Sequence, residues 1–438
     1  MAVGTQSTKP IQEVRKFICY DAVNNNNKFY DLTIFTDDTW QGYYGRVGVT
    51  GTYTENFSNS GSKAYNKIIA EKLKKGYVPF EVIQNLSTSK IIVATAQTDL
   101  KAVSRQIRTN SPEADKLIDR LIAENVHKIT ENTSLKYDVS RGTFSTPLGI
   151  ITDAGIAKAR QTLVDISSYV QQGDYQNSNL VDLVNNYFRT VPKNFGMKIP
   201  ALDQIFPDLF SIQAQNDILD SLDASLQLVL KGDDKTEDDK PKIQQLVFDA
   251  KIHLVEDEKI IDYINKLYMS TNKAMHVSHT LRVKSVYEIE IGHMARAFES
   301  EGKGVGNVKR LWHGTGVANI LSILKSGFQL SPPSTTAVTG KSFGDGIYFS
   351  DQSTKSLNYA AGYWAGQRNK QCMMFLNDVS MGKELIPTSS SQCSGWRKPP
   401  AGYDSVFAKS GKTSYLQNNE MIVFKTSQIN PVYLVEFA

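Results

Sequence analysis

Three short segments near the end of the chain decide its interpretation: RLWHGT at residues 310–315, TGKSFGDGIYFSDQSTKSLNY at residues 339–359 and NNEMIVF at residues 418–424. The runs LWHG, GIYF and MIVF have the length and composition of β-strands, and a helix-like stretch from Val317 to Lys325 follows the first of them. Two similar runs, VYEIEI and VYLVEF, flank these segments. The patterns predict a mixed, β-rich domain at the end of the chain.

The glycine-containing part of the second segment does not complete a nucleotide-binding loop. GKS at residues 340–342 would require a glycine at Thr335 to form the phosphate loop of NTPases, and this domain has no kinase-like GxGxxG. The ordered set of segments resembles instead the signature of the poly(ADP-ribose) polymerase family. By that resemblance, the histidine, tyrosine and glutamate of the family's triad fall on His313, Tyr348 and Glu420.

The resemblance implies chemistry that one carboxylate can perform. Transfer begins with cleavage of the bond between nicotinamide and ribose in NAD+, through an oxocarbenium-like transition state related to that of glycoside cleavage. Because the nicotinamide already carries the positive charge, its departure needs no general acid. Glu420 is expected to hold the ribose 2′-hydroxyl, stabilise the developing charge and orient or deprotonate the acceptor hydroxyl. His313 would hold the ribose on the adenosine side.

The same resemblance implies a pocket for the nicotinamide. The backbone of Gly314 and the hydroxyl of Ser356 would bind its carboxamide, because glycine has no side chain in the way and serine offers a hydrogen-bonding oxygen. Tyr359 would stack on one face of the ring, and Tyr348 would close the opposite wall.

Further positions concern the two ends of the substrate site. Thr315 and Asn319 fall where the family contacts the adenosine half of NAD+. Gln329 departs from the family, whose members often carry an arginine there. Ser342 stands where some polymerases have a bulkier residue near the acceptor, which leaves the length of the product chain open.

Each of these residues has an ordinary structural interpretation when it is taken alone. His313 could be a packed histidine, Tyr348 a core aromatic, and Glu420 a solvated charge at a strand edge. Ser356 and Tyr359, three residues apart on a predicted helix, could be a cap and a core contact. Only their ordered combination within matching local sequence favours a catalytic site.

Helical patterns precede this domain. Ser111 can cap a helix in which apolar residues recur at i, i+3 and i+4, and further helical patterns begin at Thr152 and end near Pro192 and Gly232. The string FRTVPKNFGM at residues 188–197 resembles the family's helical regulatory domain. In relatives that domain shields the NAD+ pocket until DNA loosens it, which would be a population shift between two states.

The N-terminal part resembles the WGR module of the family. FYDLTIF and YYGRVGVTG alternate apolar and polar residues as in a small sheet, and a lysine-rich amphipathic helix follows. Tyr44 stands where the module has its tryptophan, whereas Gly45 and Arg46 are retained. An arginine can clamp a phosphate and a flat ring can stack on an exposed base, so Tyr44 and Arg46 are the predicted contacts with DNA ends or nicks.

Charge alone argues weakly for that partner, because residues 1–80 hold ten Lys or Arg against seven Asp or Glu. Without the resemblance, Arg46 would be an ordinary surface ion-pair partner. The 438-residue chain has a net charge of +4. It lacks an apolar run of the roughly 20 residues that cross a membrane and a secretory signal at its start. An intracellular protein is therefore expected, nuclear in a eukaryote and cytoplasmic or nucleoid-associated in a prokaryote.

The sequence thus predicts a multidomain α+β protein with a small β-rich module, an all-α regulatory bundle and a mixed α/β ADP-ribosyltransferase domain with antiparallel sheets. The predicted boundaries are residues 1–90, a linker over 91–110, residues 111–235 and residues 236–438. Three scattered cysteines without a CxxC pair indicate no structural zinc, and no metal is expected.

The expected activity is DNA-break-stimulated transfer of ADP-ribose from NAD+ to proteins, including the enzyme itself, with elongation of the chain and release of nicotinamide. The protein is expected to be monomeric away from DNA. Two alternatives remain: a mono-ADP-ribosyltransferase, and a catalytically idle scaffold that binds DNA breaks. The retained Glu420 favours a polymerase over both of these alternatives.

Overall fold

The structure is a computed structural model, and the chain divides into two compact units that are described separately. Unit 1 comprises residues 1–99, 128–211 and 225–235, and unit 2 comprises residues 100–127, 212–224 and 236–438. The structure describes residues 3–54, 61–79, 106–133, 136–138, 143–145, 153–226, 248–330, 342–363, 368–393, 395–413 and 416–438. Most of the predicted linker, residues 91–105, lies outside these ranges.

Unit 1 contains the predicted N-terminal sheet. Its strands are β1 (Val3–Gly4), β2 (Ile11–Asp21), β3 (Asn26–Phe35), β4 (Trp40–Arg46), β5 (Thr52–Thr54) and β6 (Val78–Pro79). They form an antiparallel sheet in the order β1-β5-β4-β3-β2-β6. Helix α1 (Gly61–Lys74) packs Ile68 and Ile69 against a core that includes Tyr30 and Trp40. Gly76 follows with a positive φ of 80°, which suits the predicted end of this helix.

The helical region begins with α2 (Pro112–Asn132) and continues with α3 (Asp153–Gln172), α4 (Ser178–Thr190), α5 (Leu202–Ile205) and α6 (Leu209–Leu226). A small hairpin of β8 (Lys136–Asp138) and β9 (Thr143–Ser145) lies between α2 and α3 along the chain. Helices α2, α3, α4 and α6 lie where the apolar periodicity predicts helices, whereas the short α5 was not predicted. The predicted helix end near Gly232 lies outside the described residues. The helices are divided between the two units: α3, α4 and α5 belong to unit 1, whereas residues 112–127 of α2 and 212–224 of α6 belong to unit 2.

The string FRTVPKNFGM anchors α4 within unit 1. The side chain of Asn185 on α4 accepts a hydrogen bond from the backbone N–H of Ala22 at 3.0 Å, and Arg189 donates to the carbonyl of Tyr20 at 3.1 Å. The ring of Tyr20 contacts Phe188 and Phe195 at centroid distances of 5.2 and 5.9 Å. These contacts explain why the string, which leaves the helix after Thr190 and continues as a loop, keeps its aromatic side chains packed against Tyr20.

Unit 2 is built on two sheets, whose strands, in chain order, are β7 (Arg108–Thr109), β10 (Ala250–Leu254), β11 (Val283–Ile291), β12 (Val308–Gly314), β13 (Ile347–Phe349), β14 (Cys372–Ser380), β15 (Glu384–Leu385), β16 (Ser405–Ala408), β17 (Glu420–Val423) and β18 (Ile429–Phe437). The first sheet has the order β12-β14-β18-β11-β10-β7, and the second has the order β13-β17-β16-β15. The helices of this unit are α7 (Glu258–Ser270), α8 (Gly292–Ala297), α9 (Lys303–Val305), α10 (Val317–Ser326) and α11 (Ser353–Ala360). Single-turn 3-10 helices occur at Val277–Thr280, Ser390–Cys393 and Thr426–Gln428, and Phe298–Gly302 forms a π-helical turn.

The end of the predicted linker is part of the larger sheet. Strand β7 pairs in parallel with β10, and the side chain of Asn110 continues the pairing by exchanging two hydrogen bonds with the backbone of Leu254, at 2.7 and 3.1 Å. These residues thus form a sheet edge, because the open side of β10 offers unpaired backbone groups that a short strand can satisfy.

Helix α2 begins as the sequence predicts and packs along its predicted face. The Ser111 hydroxyl accepts a hydrogen bond from the backbone N–H of Ala114 at 3.2 Å, which is an N-cap bond. The apolar residues of the periodic pattern are all buried: Ala114, Leu117, Ile118, Leu121 and Ile122. Within the described ranges, no helix of the chain combines the length and the hydropathy needed to cross a bilayer.

Candidate active site

Strand β12 carries His313 to the point where the two sheets of unit 2 meet. Trp312 and Ser350 exchange backbone hydrogen bonds of 2.9 and 3.0 Å, which join β12 to the end of β13. This bridge sets His313 beside Tyr348, whose carbonyl lies 2.9 Å from the Nδ1 atom of the imidazole. Two of the three triad residues predicted from the sequence are therefore neighbours.

The imidazole of His313 is held neutral. Its ring packs edge-on against Phe328 at 4.7 Å and near Phe349 at 5.6 Å. Burial lowers the pKa of His313 to about 4, and the hydrogen bond to the Tyr348 carbonyl opposes that shift without cancelling it. Because a carbonyl can only accept, Nδ1 carries the proton, and Nε2 is left as an acceptor.

The hydroxyl of Tyr348 is bonded to nearby backbone, which leaves its ring for the predicted site. Its hydroxyl accepts from the backbone N–H of Phe343 and donates to the carbonyl of Gly344, both at 2.8 Å. Burial raises the pKa of this hydroxyl well above its usual value. Since the hydroxyl is committed to the chain segment before β13, the aromatic face is the part that can form a wall.

Glu420 opens β17, as the sequence predicts, and its carboxylate has a partner that the sequence analysis missed. Lys355 on α11 places its Nζ atom 2.7 Å from Glu420 Oε1, and both side chains are 15% exposed. The same ammonium donates to the carbonyl of Asn419 at 3.1 Å. The signal for Lys355 was its position next to Ser356 in the segment STKSLNY.

Gly314 and Ser356 meet closely on the far side of β12. A Cβ atom at Gly314 would lie 1.8 Å from the carbonyl oxygen of Ser356, so only glycine fits. The Ser356 hydroxyl donates to the carbonyl of Trp312 at 3.2 Å and is buried. Because backbone groups alternate along a strand, the N–H and C=O of Gly314 point the same way as those of Trp312, away from β14.

Tyr359 lies one turn after Ser356 and is 39% exposed. Burial of its hydroxyl, together with the nearby charge of Glu420, raises the pKa of Tyr359 to about 12. Two contacts predicted on the adenosine side bond to each other at the start of α10: the amide of Asn319, in the first turn, donates to the hydroxyl of Thr315, just before the helix, at 3.2 Å. The structure thus gathers the predicted residues of the NAD+ site within one unit.

The two predicted DNA contacts on β4 already have partners within unit 1. Tyr44 is half-buried and its ring stacks near Tyr30 at 6.2 Å. The guanidinium of Arg46 donates to the carbonyl of Gly196, and also to the carbonyl and side chain of Asn25 at 3.2 and 2.9 Å. Arg46 therefore ties the sheet to the FRTVPKNFGM string, and its contact with DNA stays a prediction.

Comparison with known protein families matches all three parts of the chain. The profile of the poly(ADP-ribose) polymerase catalytic domain matches residues 258–438, that of the poly(ADP-ribose) polymerase regulatory domain matches residues 111–246, and that of the WGR domain matches residues 16–82. The chain belongs to the poly(ADP-ribose) polymerase family. The resemblance noted in the sequence and the predicted fold class are thereby confirmed.

Curated members of the poly(ADP-ribose) polymerase family align with nearly the whole chain. A poly [ADP-ribose] polymerase of Drosophila melanogaster is 24% identical over 94% of this chain and 44% of its own length. Poly [ADP-ribose] polymerase 2 of Homo sapiens is 24% identical over 94% of this chain and 77% of its own. Protein mono-ADP-ribosyltransferase PARP3 of Homo sapiens is 25% identical over 88% of this chain and 74% of its own. The chain thus spans less than half of the fly relative.

The poly(ADP-ribose) polymerase catalytic domain uses NAD+ as substrate, and the residues of unit 2 fit that molecule. The neutral imidazole of His313, whose Nε2 has no hydrogen bond to a described residue, can accept from a ribose hydroxyl. The partly exposed Tyr359 lies on α11, the helix that packs Ser356 against Gly314, and suits an aromatic ring that carries a carboxamide. In the part of the chain that the structure describes, no group of three or more His, Cys, Asp or Glu side chains is placed to hold a metal ion.

Proposed function

We propose that the protein transfers ADP-ribose from NAD+ to acceptor proteins, releases nicotinamide, and uses Glu420 as its catalytic carboxylate. The observation that carries the proposal is the pairing of Glu420 with Lys355 at the start of β17. The ion pair occupies Oε1, and no described residue donates to Oε2. That oxygen is available for the ribose 2′-hydroxyl.

Each neighbour of Glu420 has a part in this reaction. The Lys355 ammonium fixes the carboxylate of Glu420 through the ion pair, and the carboxylate stabilises the positive charge that develops on the ribose as the glycosidic bond breaks. The backbone of Gly314 and the Ser356 hydroxyl fix the nicotinamide carboxamide, while Tyr359 and Tyr348 bound the ring. The acceptor hydroxyl then attacks the ribose and gives its proton to the carboxylate of Glu420.

The adenosine end is held apart from the reacting bond. His313 accepts from a ribose hydroxyl through Nε2, since its Nδ1–H is engaged by Tyr348. Thr315 and Asn319 bound the same end at the first turn of α10. Binding energy from this end orients the reacting bond against Glu420.

The proposal includes inhibition by the helical region. Two contacts within unit 2 reach α10, the helix that follows the His313 strand. Asn125 of α2 donates to the carbonyl of Ala318 at 3.2 Å, and Ser322 donates to the carbonyl of Asp220 of α6 at 2.9 Å. Helices attached in this way can restrain the NAD+ site, and DNA bound by the WGR domain would release them.

Elongation of the product and activation by DNA ends or nicks complete the proposal. Full-length protein is incubated with labelled NAD+, with and without nicked or blunt-ended DNA, and the products are separated on a denaturing gel. A DNA-dependent ladder supports the proposal, a single band indicates mono-ADP-ribosyl transfer as in the name of the human relative PARP3, and no label indicates a DNA-binding scaffold. Glu420→Gln must lose both label and nicotinamide release if the carboxylate is catalytic.

The partners and location follow from that activity. We expect the acceptors to include the protein itself, which the assay would show as label on its own band. A protein that responds to broken DNA acts in the nucleus of a eukaryote or beside the nucleoid of a prokaryote. We expect it to be monomeric in the absence of DNA.

A further inference from the structure

A buried histidine lies behind the turn from which Glu420 starts. His276 is 6% exposed and immediately precedes the 3-10 helix Val277–Thr280. Its Nδ1 atom is 2.8 Å from the hydroxyl of Thr354 on α11, and its Nε2 atom is 3.2 Å from the side-chain amide nitrogen of Asn418. Asn418 lies two positions before Glu420, for which the catalytic role is proposed.

The hydrogen bonds of His276 require the neutral imidazole. An amide nitrogen can only donate, so Nε2 accepts from Asn418, and the proton lies on Nδ1, which donates to Thr354. The charged groups that face the ring are both cations, Lys273 on its own loop and Lys355 on α11. Burial and these two charges lower the pKa of His276 below its usual value, so the ring stays neutral near pH 7.

The other side of the same turn is fixed by Asn419. Its carbonyl accepts from the Ser350 hydroxyl at 3.0 Å and from Lys355 at 3.1 Å. Its side chain donates to Asp351 at 2.8 Å and accepts from the backbone N–H of Ser410 at 2.9 Å. His276 and these four partners together hold the two residues before Glu420 from opposite sides.

We propose that His276 is a positioning residue for Glu420, which it holds against the ribose of NAD+ by fixing Asn418. The inference rests on the catalytic role proposed for Glu420. A displaced carboxylate would still allow NAD+ to bind through His313 and the nicotinamide pocket, but it would stabilise the transition state less well. Loss of His276 therefore lowers kcat and leaves KM for NAD+ nearly unchanged.

Protonation of His276 would disturb the same turn. A charged ring presents an N–H at Nε2 to the amide nitrogen of Asn418, so the amide has to turn its oxygen toward the ring. That oxygen, Oδ1 of Asn418, is buried and has no hydrogen-bond partner within the described ranges. Protonation of His276 in acid would therefore break the observed contact unless the Asn418 amide turns over.

The experiment compares three variants of the full-length protein by steady-state release of nicotinamide between about pH 5 and pH 8, the range in which histidine changes charge. His276→Phe keeps the ring volume and removes both bonds, and Asn418→Ala removes the same contact from its half-buried partner. Both are expected to lower kcat about tenfold with KM for NAD+ changed less than about twofold. His276→Gln can accept from Asn418 without titrating, so it keeps most of kcat and loses less activity than the wild type in acid.

A matched control and a double variant make the result decisive. His279→Gln alters a histidine on the same 3-10 helix. Among the described residues, its Nδ1 contacts only the backbone carbonyl of His276, and kcat should not change. The double variant His276→Phe/Asn418→Ala should have a kcat no lower than that of His276→Phe or Asn418→Ala, because each single variant already removes the contact between His276 and Asn418. Additive losses, or a rise in KM at constant kcat, would overturn the inference.

The outcomes also separate this inference from the proposed function. If Glu420→Gln keeps full nicotinamide release, the catalytic role of Glu420 is wrong. If Glu420→Gln is inactive while His276→Phe and Asn418→Ala keep the wild-type kcat, only the role of His276 is wrong. Thermal unfolding identifies a misfolded His276→Phe, in which case the kcat of Asn418→Ala decides.

Discussion

The ammonium of Lys355 lies 2.7 Å from the carboxylate of Glu420, and both side chains are 15% exposed. This contact fixes one oxygen of the carboxylate, and the catalytic role proposed for Glu420 uses the other. The pair comes from two elements far apart in sequence, α11 and the start of β17, so neither segment could indicate it alone. If Glu420 is catalytic as proposed, Lys355 should affect turnover, and this effect can be measured separately from its effect on stability.

Replacement of Lys355 should impair turnover more than folding. In Lys355→Met the carboxylate loses the cation that orients it, and we expect kcat for nicotinamide release to fall about 10- to 100-fold, as for other small misplacements of catalytic groups. The matched control is Lys309→Met, which removes the ion pair between Lys309 and Glu384 at 2.5 Å elsewhere in unit 2. Equal kcat values for the two variants would contradict the role of Lys355.

A methyl group at Gly314 should damage the nicotinamide pocket. The added Cβ would clash with the carbonyl of Ser356 at 1.8 Å, so β12 and α11 must move apart. We expect Gly314→Ala to raise KM for NAD+ and to lower the free energy of unfolding by about 1–3 kcal/mol. Gly316→Ala is the control, because a Cβ there meets nothing within 4 Å and φ is −61°. Similar melting temperatures for the two variants would show that the clash is relieved without cost.

The neutral His313 should make the protein less stable in acid. Its pKa is about 4 in the folded chain and about 6.5 when it is exposed, so the unfolded state binds the proton first as the pH falls. The stability due to this residue is complete above about pH 6.5 and is lost progressively toward pH 4, by about 3 kcal/mol in all. Chemical denaturation should show that the free energy of unfolding of His313→Phe changes less with pH over this window than that of the wild type. An unchanged slope would mean that His313 is not buried as a neutral ring.

Release of α2 should raise activity in the absence of DNA. Arg120 on α2 pairs with Glu436 of β18 at 2.8 Å, and Glu436 is 3% exposed, so the helix is attached to the catalytic sheet through a buried carboxylate. If the helical region inhibits transfer, Arg120→Met should increase the DNA-free rate about tenfold, a common size of coupling between sites. Lys284→Met is the control, because Lys284 pairs with the same carboxylate at 3.2 Å from within the sheet. A wild type that DNA does not stimulate would refute inhibition itself.

Arg46 should matter for the response to DNA and not for basal transfer. Arg46→Ala removes a guanidinium that can bind a phosphate and that also bonds to Asn25 and Gly196. We expect weaker stimulation by a DNA break with the DNA-free rate unchanged. Arg15→Ala removes an arginine of the same sheet that pairs with Glu13, and serves as the control. Full stimulation of Arg46→Ala would count against the DNA-binding assignment.

The sequence predicted the residues of the site better than their partners. His313, Tyr348 and Glu420 lie in short segments whose order is diagnostic, so a resemblance could place them. His276 and Asn418, by contrast, meet across 142 positions of sequence with no periodicity to connect them. Contacts of this kind depend on how the elements pack, and a pattern along one strand or helix carries no information about them.

The same limit applies to the edges of the domains. Apolar periodicity placed the buried face of α2 correctly, because a repeat of 3.6 residues is local. It could not show that residues 112–127 belong to the catalytic unit, or that Arg46 would bond to the carbonyl of Gly196. Both follow from tertiary contacts between segments that lie far apart in the chain.

Strand β7 has a practical meaning for dissecting this protein. Because Arg108 and Thr109 pair with β10, the catalytic unit is discontinuous, and most of the helical region is an insertion between its outermost strand and the rest. A fragment that starts at residue 236 would leave the edge of β10 bare and open to association with other chains. A loop that replaces residues 128–211, with 106–110 retained, would keep that edge covered. The second fragment should aggregate less than the first, because its β10 edge is covered. It would then be the suitable form in which to measure catalysis without most of the helical region.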